Sequence, residues 1–169
     1  MRDFHKADFE TLWRIDQSCF GPGVSYSRPE LSAYIMMRGA FTLVAEANVG
    51  IGRNGAVPEE GVTFGDPWIL GFVVATLNTR GGGHIITIDV IPKARRAGVG
   101  SALLAAAEKR LKSTGGTRVR LETAVNNAAA LAFYKRHSYN VFKTIPRYYP
   151  DGTDAFVMEK DLLSPPPAG

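Results

Sequence analysis

The stretch Ile88-Asp89-Val90-Ile91-Pro92-Lys93-Ala94-Arg95-Arg96-Ala97-Gly98-Val99-Gly100-Ser101-Ala102-Leu103-Leu104 constrains this chain more than any other part of it. A β-branched strand ends at a proline, two arginines follow, and Gly-Val-Gly opens a helix rich in alanine and leucine. Glycines at a helix start let backbone N–H groups approach a ligand with no Cβ in the way. The first amides of a helix have no intrahelical partner, and the helix dipole adds partial positive charge there. Together with Arg95 and Arg96, the backbone from Arg96 through Ala97, Gly98, Val99 and Gly100 to Ser101 reads as a seat for phosphate. The chemistry implied is binding of a phosphorylated cofactor.

The spelling of the loop separates three kinds of phosphate site. A Walker loop requires Lys-Ser/Thr after its last glycine, and Ser101 follows Gly100 directly, so that reading is excluded. The dinucleotide fingerprint Gly-x-Gly-x-x-Gly/Ala fits at Gly98 and Gly100, with Glu122 as an acidic residue roughly 20 positions on. It fails at Leu103, where close helix–strand packing wants a small residue. What remains is Arg-x-x-Gly-x-Gly, spelled by Arg95, Gly98 and Gly100.

Two further segments carry chemistry. From Arg118 to Thr123, Val119, Leu121 and Thr123 alternate with Arg118, Arg120 and Glu122, the period of a half-buried strand. The run Asn126-Asn127-Ala128-Ala129-Ala130-Leu131-Ala132-Phe133-Tyr134 then places a capping asparagine before strong helix formers. Asn127 and Tyr134 lie nearly two turns apart on one helical face, about 10 Å along the axis, so an amide and a phenol can read two points of an extended ligand. Near the end comes Arg147-Tyr148-Tyr149-Pro150-Asp151-Gly152-Thr153-Asp154-Ala155-Phe156-Val157-Met158.

Taken together, the loop, the Asn–Tyr helix and the tail resemble the GNAT acetyltransferase superfamily, and within it the Rim-type N-terminal acetyltransferases of ribosomal proteins. The resemblance runs from Met1 to Leu162 and is strongest from Ile88 to Met158. It implies an α/β (α+β) GNAT fold, with a mostly antiparallel mixed sheet of about seven strands flanked by four helices. A splayed strand pair would hold acetyl-CoA. It also implies that Ile88, Asp89 and Val90 offer backbone groups to the pantetheine arm, that Arg95 to Ser101 hold the pyrophosphate, and that Asn127 contacts the cofactor. Tyr134 would sit beside the sulfur as general acid, and Glu122, five positions before Asn127, would be the general base. Asp89 is the alternative base. Tyr148 and Tyr149 would grip the acceptor, although packing on the hairpin accounts for them equally well. Without the resemblance, Tyr134 reads as a core aromatic, and Glu122 reads as a cross-strand partner for Arg118 or Arg120. One departure is visible: Ser138-Tyr139 stands where the family has Gly-Phe, which alters a turn rather than the chemistry.

The function implied is transfer of an acetyl group from acetyl-CoA to a primary amine, in first place the N-terminal α-amine of a protein such as a ribosomal one, by direct transfer in a ternary complex. The competing readings are acetylation of a small amine such as a polyamine or amino sugar, a non-catalytic acyl-CoA-binding domain and, remotely, a nucleotide-binding oxidoreductase. The histidines His5, His84 and His137 are scattered, with no Cys/His spacing that suggests zinc, so no metal is expected.

At 169 residues the chain suits one domain, expected over 1–162, with a proline-rich tail at 163–169. The single cysteine, Cys19, allows no internal disulfide and reads as a packed thiol in a reducing, cytoplasmic protein. No run approaches a membrane span and the N-terminus lacks a signal-peptide core, so no membrane is expected. The net charge of +4 is not gathered into a basic, aromatic-interleaved run, so no direct nucleic-acid contact is expected either.

Along the chain, Met1–His5 reads as a strand, Asp8 as the cap of a helix through Phe20, 29–37 as a second helix, and 41–47 as a strand. Residues 48–67 read as an extended connection or a lid. Strands are expected over 68–77 and 84–91, separated by Arg80-Gly81-Gly82-Gly83. A helix over 98–113 should bury Leu103, Leu104, Ala107 and Leu111 and expose Glu108 and Lys112 as an i,i+4 pair. A closing hairpin pairs 140–145 with 155–160.

Overall fold

Seven strands form one sheet in the computed structural model, which describes residues 1–21, 23–47 and 68–164. The 48–67 connection and the prolines of the tail lie outside these residues. The strands are β1 (Arg2–Asp3), β2 (Ala40–Glu46), β3 (Ile69–Leu77), β4 (Gly82–Val90), β5 (Arg118–Ala124), β6 (Asn140–Ile145) and β7 (Ala155–Asp161). They lie side by side in the order β1-β2-β3-β4-β5-β7-β6. Every pairing is antiparallel except β4 with β5. The helices are α1 (Phe9–Cys19), α2 (Arg28–Ile35), α3 (Val99–Ser113) and α4 (Ala128–Arg136).

Strands β2 and β3 read as nearly continuous apolar runs because helices cover both of their faces. On one side Leu103, Leu104, Ala107 and Leu111 of α3 pack with Val73, Ala75, Val119, Leu121 and Tyr139. On the other, Leu12 and Ile15 of α1 and Leu31 and Ile35 of α2 pack on Val44, Phe72 and Val74. A bulge in β4 decides which of its side chains face which layer. Val74 pairs with Thr87 and Ala75 with Ile85, which leaves Ile86 unpaired. Ile85 and Ile88 therefore both face the α3 side, while Asp89, opposite Phe72, faces α1 and α2.

Several local expectations change. Asp8 does not cap α1 with its side chain; its carboxylate accepts from Arg2 at 2.7 and 2.9 Å and from the His5 N–H at 2.7 Å. Gly82 and Gly83 belong to β4 rather than to a turn. Glu108 does not pair with Lys112. It takes Lys160 Nζ at 2.6 Å and the Tyr139 hydroxyl at 3.0 Å, so this carboxylate ties α3 to β7 and to the end of α4. Helix α4 ends with Ser138 at φ 67° and a Tyr139 N–H bond to the Tyr134 carbonyl at 3.0 Å. Serine adopts the left-handed closure that glycine usually supplies, and the turn survives the substitution.

Candidate active site

The parallel pair β4–β5 is joined only at Gly82–Arg118, Gly83–Val119 and His84–Arg120. Beyond that point β4 continues to Val90 and β5 to Ala124 without pairing, so the two strands diverge and leave a cleft between them. Ile88, Asp89 and Val90 lie on the β4 arm of this fork, and Glu122 lies on the β5 arm.

At the far end of β4 the chain turns through Pro92–Ala94 into the glycine loop. Arg96 has φ 64° and Gly98 φ 84°, and α3 begins at Val99. The first intrahelical bond runs from the Ala102 N–H to the Gly98 carbonyl at 2.9 Å, so the N–H groups of Val99, Gly100 and Ser101 point out of the helix start. Gly98 needs glycine for its left-handed backbone, while a Cβ there would meet nothing within 4 Å. Gly100 differs: its Cβ would make ordinary contacts of 3.6 Å with Phe133 and 3.7 Å with Val90. Arg95 folds back, its Nε donating to the Val90 carbonyl at 3.1 Å, and Arg96 and Ala97 are exposed. An open amide cradle with exposed guanidinium groups beside it suits a diphosphate.

Helix α4 packs on the α3 side of the sheet, its Tyr134 in one cluster with Leu121 of β5 and with Ile88 and Val90 of β4. Asn127 caps it, its Oδ1 accepting the Ala130 N–H at 3.0 Å, which leaves the Nδ2 donor for a ligand. Tyr134 is buried between Phe133, at 5.1 Å, and Tyr139, at 5.7 Å. Its hydroxyl makes no hydrogen bond among the described residues. Burial, then Asp89 and Tyr149, push this phenol well above its ordinary value, so it keeps its proton at neutral pH. A protonated phenol in the fork is a proton donor.

On the opposite face of the sheet Glu122 meets a residue that sequence spacing did not single out. Its Oε2 lies 2.6 Å from His84 Nε2. Neither Arg118 nor Arg120 takes Glu122; Arg120 pairs with Glu159 and stacks over Phe142. Both members of the pair keep solvent access, 43% for the His84 side chain and 21% for Glu122. The signal for His84 was its register: it is the last paired residue of β4 before the fork, and a single strand's sequence does not carry a parallel register.

Tyr148 and Tyr149 stack edge to face at 5.1 Å in the β6–β7 loop. Burial and the Glu122 carboxylate raise the Tyr148 phenol; burial, Tyr148 and Glu122 push that of Tyr149 up to about 12. Both phenols therefore feel the Glu122 carboxylate. Tyr26 joins them from the α1–α2 connection, stacked on Tyr34 at 5.0 Å. Its backbone is pinned from α1 by Trp13 Nε1 at 3.1 Å and Gln17 Nε2 at 2.8 Å on its carbonyl, and by Asp16 Oδ2 at 2.8 Å on its N–H.

Asp89 sits beneath this region with no exposed surface. Thr87 Oγ1 donates to it at 3.1 Å, and its second oxygen has no hydrogen-bond partner among the described residues. Burial first and Asp16 second raise its carboxyl well above the usual range. Asp16, also fully buried, is pushed up to about 6 by burial. Of the two candidate bases, Glu122 keeps exposed surface and Asp89 has none. Cys19 is a packed thiol, its Sγ donating to the Val90 carbonyl at 3.3 Å, and burial raises its pKa.

The sequence pattern of the acetyltransferase (GNAT) family matches residues 9–139. The chain belongs to the GNAT acetyltransferase family. An N-alpha-acetyltransferase of Sulfurisphaera tokodaii is 38% identical over 81 residues, covering 47% of this chain and 48% of the relative. The chain thus spans about half the length of the curated relatives it matches. Among solved structures, Ard1 from Thermoplasma volcanium superposes with a TM-score of 0.74 at 24% identity, covering 96% of this chain and 97% of that one. The ribosomal-protein-S18-alanine N-acetyltransferase from Escherichia coli gives 0.73 at 20% identity, covering 99% and 96%. These likenesses bear out the expected fold: four helices and a seven-stranded, mostly antiparallel mixed sheet.

Proposed function

We propose that this GNAT protein transfers the acetyl group of acetyl-CoA to the N-terminal α-amine of a polypeptide, directly and within a ternary complex. The observation that carries the reading is the fork between β4 and β5, with a reachable Glu122–His84 pair on one face and the Tyr134 phenol at the other. A thioester held between them would meet a proton acceptor on the acceptor side and a proton donor on the cofactor side. The similarity to proteins named N-alpha-acetyltransferase supports the choice of an α-amine, and the E. coli neighbour makes a ribosomal protein a reasonable acceptor.

The steps follow from charge. An α-amine has a pKa near 8, so most of it arrives as ammonium at neutral pH and must lose a proton before it can attack. Glu122 takes that proton, directly or through one water, and His84 at 2.6 Å offers it a path to solvent. Attack on the thioester carbonyl develops negative charge on its oxygen, which the free N–H groups of the diverging β4 arm can stabilise. Collapse expels a thiolate, Tyr134 supplies its proton, and the second proton, lost by the nitrogen as the amide forms, passes through solvent to restore the phenol. The N–H groups of Val99, Gly100 and Ser101 hold the diphosphate, the backbone of Ile88 to Val90 lies along the pantetheine arm, and Asn127 Nδ2 donates to that arm. Tyr148, exposed, and Tyr149, half-buried, both within the field of Glu122, grip the first residues of the acceptor.

Mass spectrometry of an incubation with acetyl-CoA and peptides that are free or blocked at the N-terminus, with and without lysine, tests this. Acetylation of the free α-amine supports the reading. Acetylation of lysine alone or of small amines alone replaces the acceptor, and no transfer to any amine overturns the activity.

A further inference from the structure

His137 ends α4 and lies outside every segment that the phosphate loop comprises, yet the fold brings it to that loop. Its Nε2 is 2.9 Å from Ser101 Oγ, in the first turn of α3. The imidazole stacks on Phe133 with centroids 4.7 Å apart, and Phe133 in turn covers the place of a Gly100 Cβ. The aromatic pair Phe133–His137 therefore walls one side of the helix start whose free N–H groups face out. Oγ and N–H of one serine are only three bonds apart. An anion accepting from the Ser101 N–H therefore stands within about 9 Å of the ring nitrogen that touches Oγ.

The charges around the ring explain why it awaits a partner. Glu108 faces it from α3, Lys160 from β7 and Arg136 from α4 itself. Glu108 is already committed to Lys160 and to the Tyr139 hydroxyl. Partial burial then holds the imidazole below its ordinary pKa, and it is neutral at pH 7 in the free protein.

We propose that His137 is part of the phosphate seat, and that its imidazole gains a fraction of a proton from solvent at neutral pH when the diphosphate of coenzyme A settles on Val99, Gly100 and Ser101. Binding of the co-substrate is thereby linked to pH through a residue on the neighbouring helix. The inference rests on the acetyl-CoA reading and goes beyond it by naming the residue and its change of charge. A second anion-facing donor beside the backbone cradle is its structural consequence.

The test follows the imidazole directly. Carbon-13 NMR of the histidine rings of the whole protein, titrated from pH 5 to 8 with and without CoA, reports each midpoint, with His137 assigned by its loss in His137→Gln. CoA should move the His137 midpoint upward by about one unit, the size expected for an anion at that distance in a partly screened site. His5, far from the loop in sequence, should not move with it. Dephospho-CoA, which keeps the diphosphate and lacks the 3′-phosphate, should give the same shift. Calorimetry at pH 7 in two buffers of different ionisation enthalpy should show proton uptake on binding, diminished in His137→Gln. CoA that binds while the midpoint stands still overturns this inference alone, as does a shift with CoA and none with dephospho-CoA. Failure of the wild-type protein to bind CoA overturns the acetyl-CoA reading and this inference with it.

Discussion

Replacing Glu122 with Gln tests the proton acceptor and little else. Gln has the same shape, and its Oε1 can still accept from His84 Nε2 when that nitrogen carries the proton, so the fork should keep its geometry. The pair is partly exposed, with 43% and 21% of the two side chains accessible. Its loss should cost folding stability no more than about 1 kcal/mol. The effect on rate is larger and depends on pH. With an α-amine pKa near 8, about a tenth of the acceptor is free amine at pH 7 and about nine-tenths at pH 9. A variant that must wait for free amine from solution should therefore gain about tenfold in kcat/KM over that range, on top of whatever the wild type gains. A general base commonly contributes about 10²–10⁴-fold, so the deficit at pH 7 should be at least 100-fold and should narrow by about tenfold at pH 9. Initial rates of free-thiol release with an N-terminal peptide, measured from pH 7 to 9 for both proteins, give this ratio. A ratio that stays constant with pH would refute the role of Glu122 as base and leave it a positioning residue.

Tyr134→Phe keeps the stacked ring and removes a hydroxyl that makes no hydrogen bond among the described residues, so Tm should hold while turnover falls by about 100-fold; equal turnover at saturating substrates would return Tyr134 to the core. Gly98→Ala should lower stability by about 1–2 kcal/mol because φ is 84° there, whereas Gly100→Ala, whose Cβ meets only ordinary contacts, should hold or raise stability by up to about 1 kcal/mol. Thermal melts of the two separate conformational need from packing, and an equal loss in both would contradict the backbone described here. Asp16 has its folded pKa raised to about 6 from 3.8, so the folded state binds the extra proton. The stability this confers is complete below pH 4 and is lost as the pH rises towards 6, a change on the order of 1–3 kcal/mol. Denaturant melts from pH 4 to 7 should show that decline in the wild type and a flatter profile in Asp16→Asn; parallel profiles would remove Asp16 as the cause.

The elements that carry chemistry were legible because local rules act on contiguous residues. The period of two from Arg118 to Thr123 became β5 with Val119, Leu121 and Thr123 buried, and the asparagine before the alanines capped α4 through Oδ1. Glu108 misled, because an i,i+4 lysine is visible in sequence while Lys160, which claims it at 2.6 Å, lies on a distant strand. His84 and His137 were unreadable for the same reason. Each acquires its partner, Glu122 at 2.6 Å and Ser101 at 2.9 Å, only when a strand register or a helix packing brings together parts of the chain some 40 residues apart.

The amino-acid sequence by itself determined the glycine loop, the Asn–Tyr helix and the strand of Glu122, since backbone freedom at glycine, capping and amphipathic period are properties of neighbouring residues. The tertiary structure alone decided what these pieces face. Pairing of β4 with β5 for only three residues opens the cleft, and the skipped Ile86 turns Asp89 under α1 and out of solvent. With Asp89 buried, Glu122 is the one of these two carboxylates that keeps exposed surface. A one-residue register change reverses the face of every following side chain, and no local pattern records it.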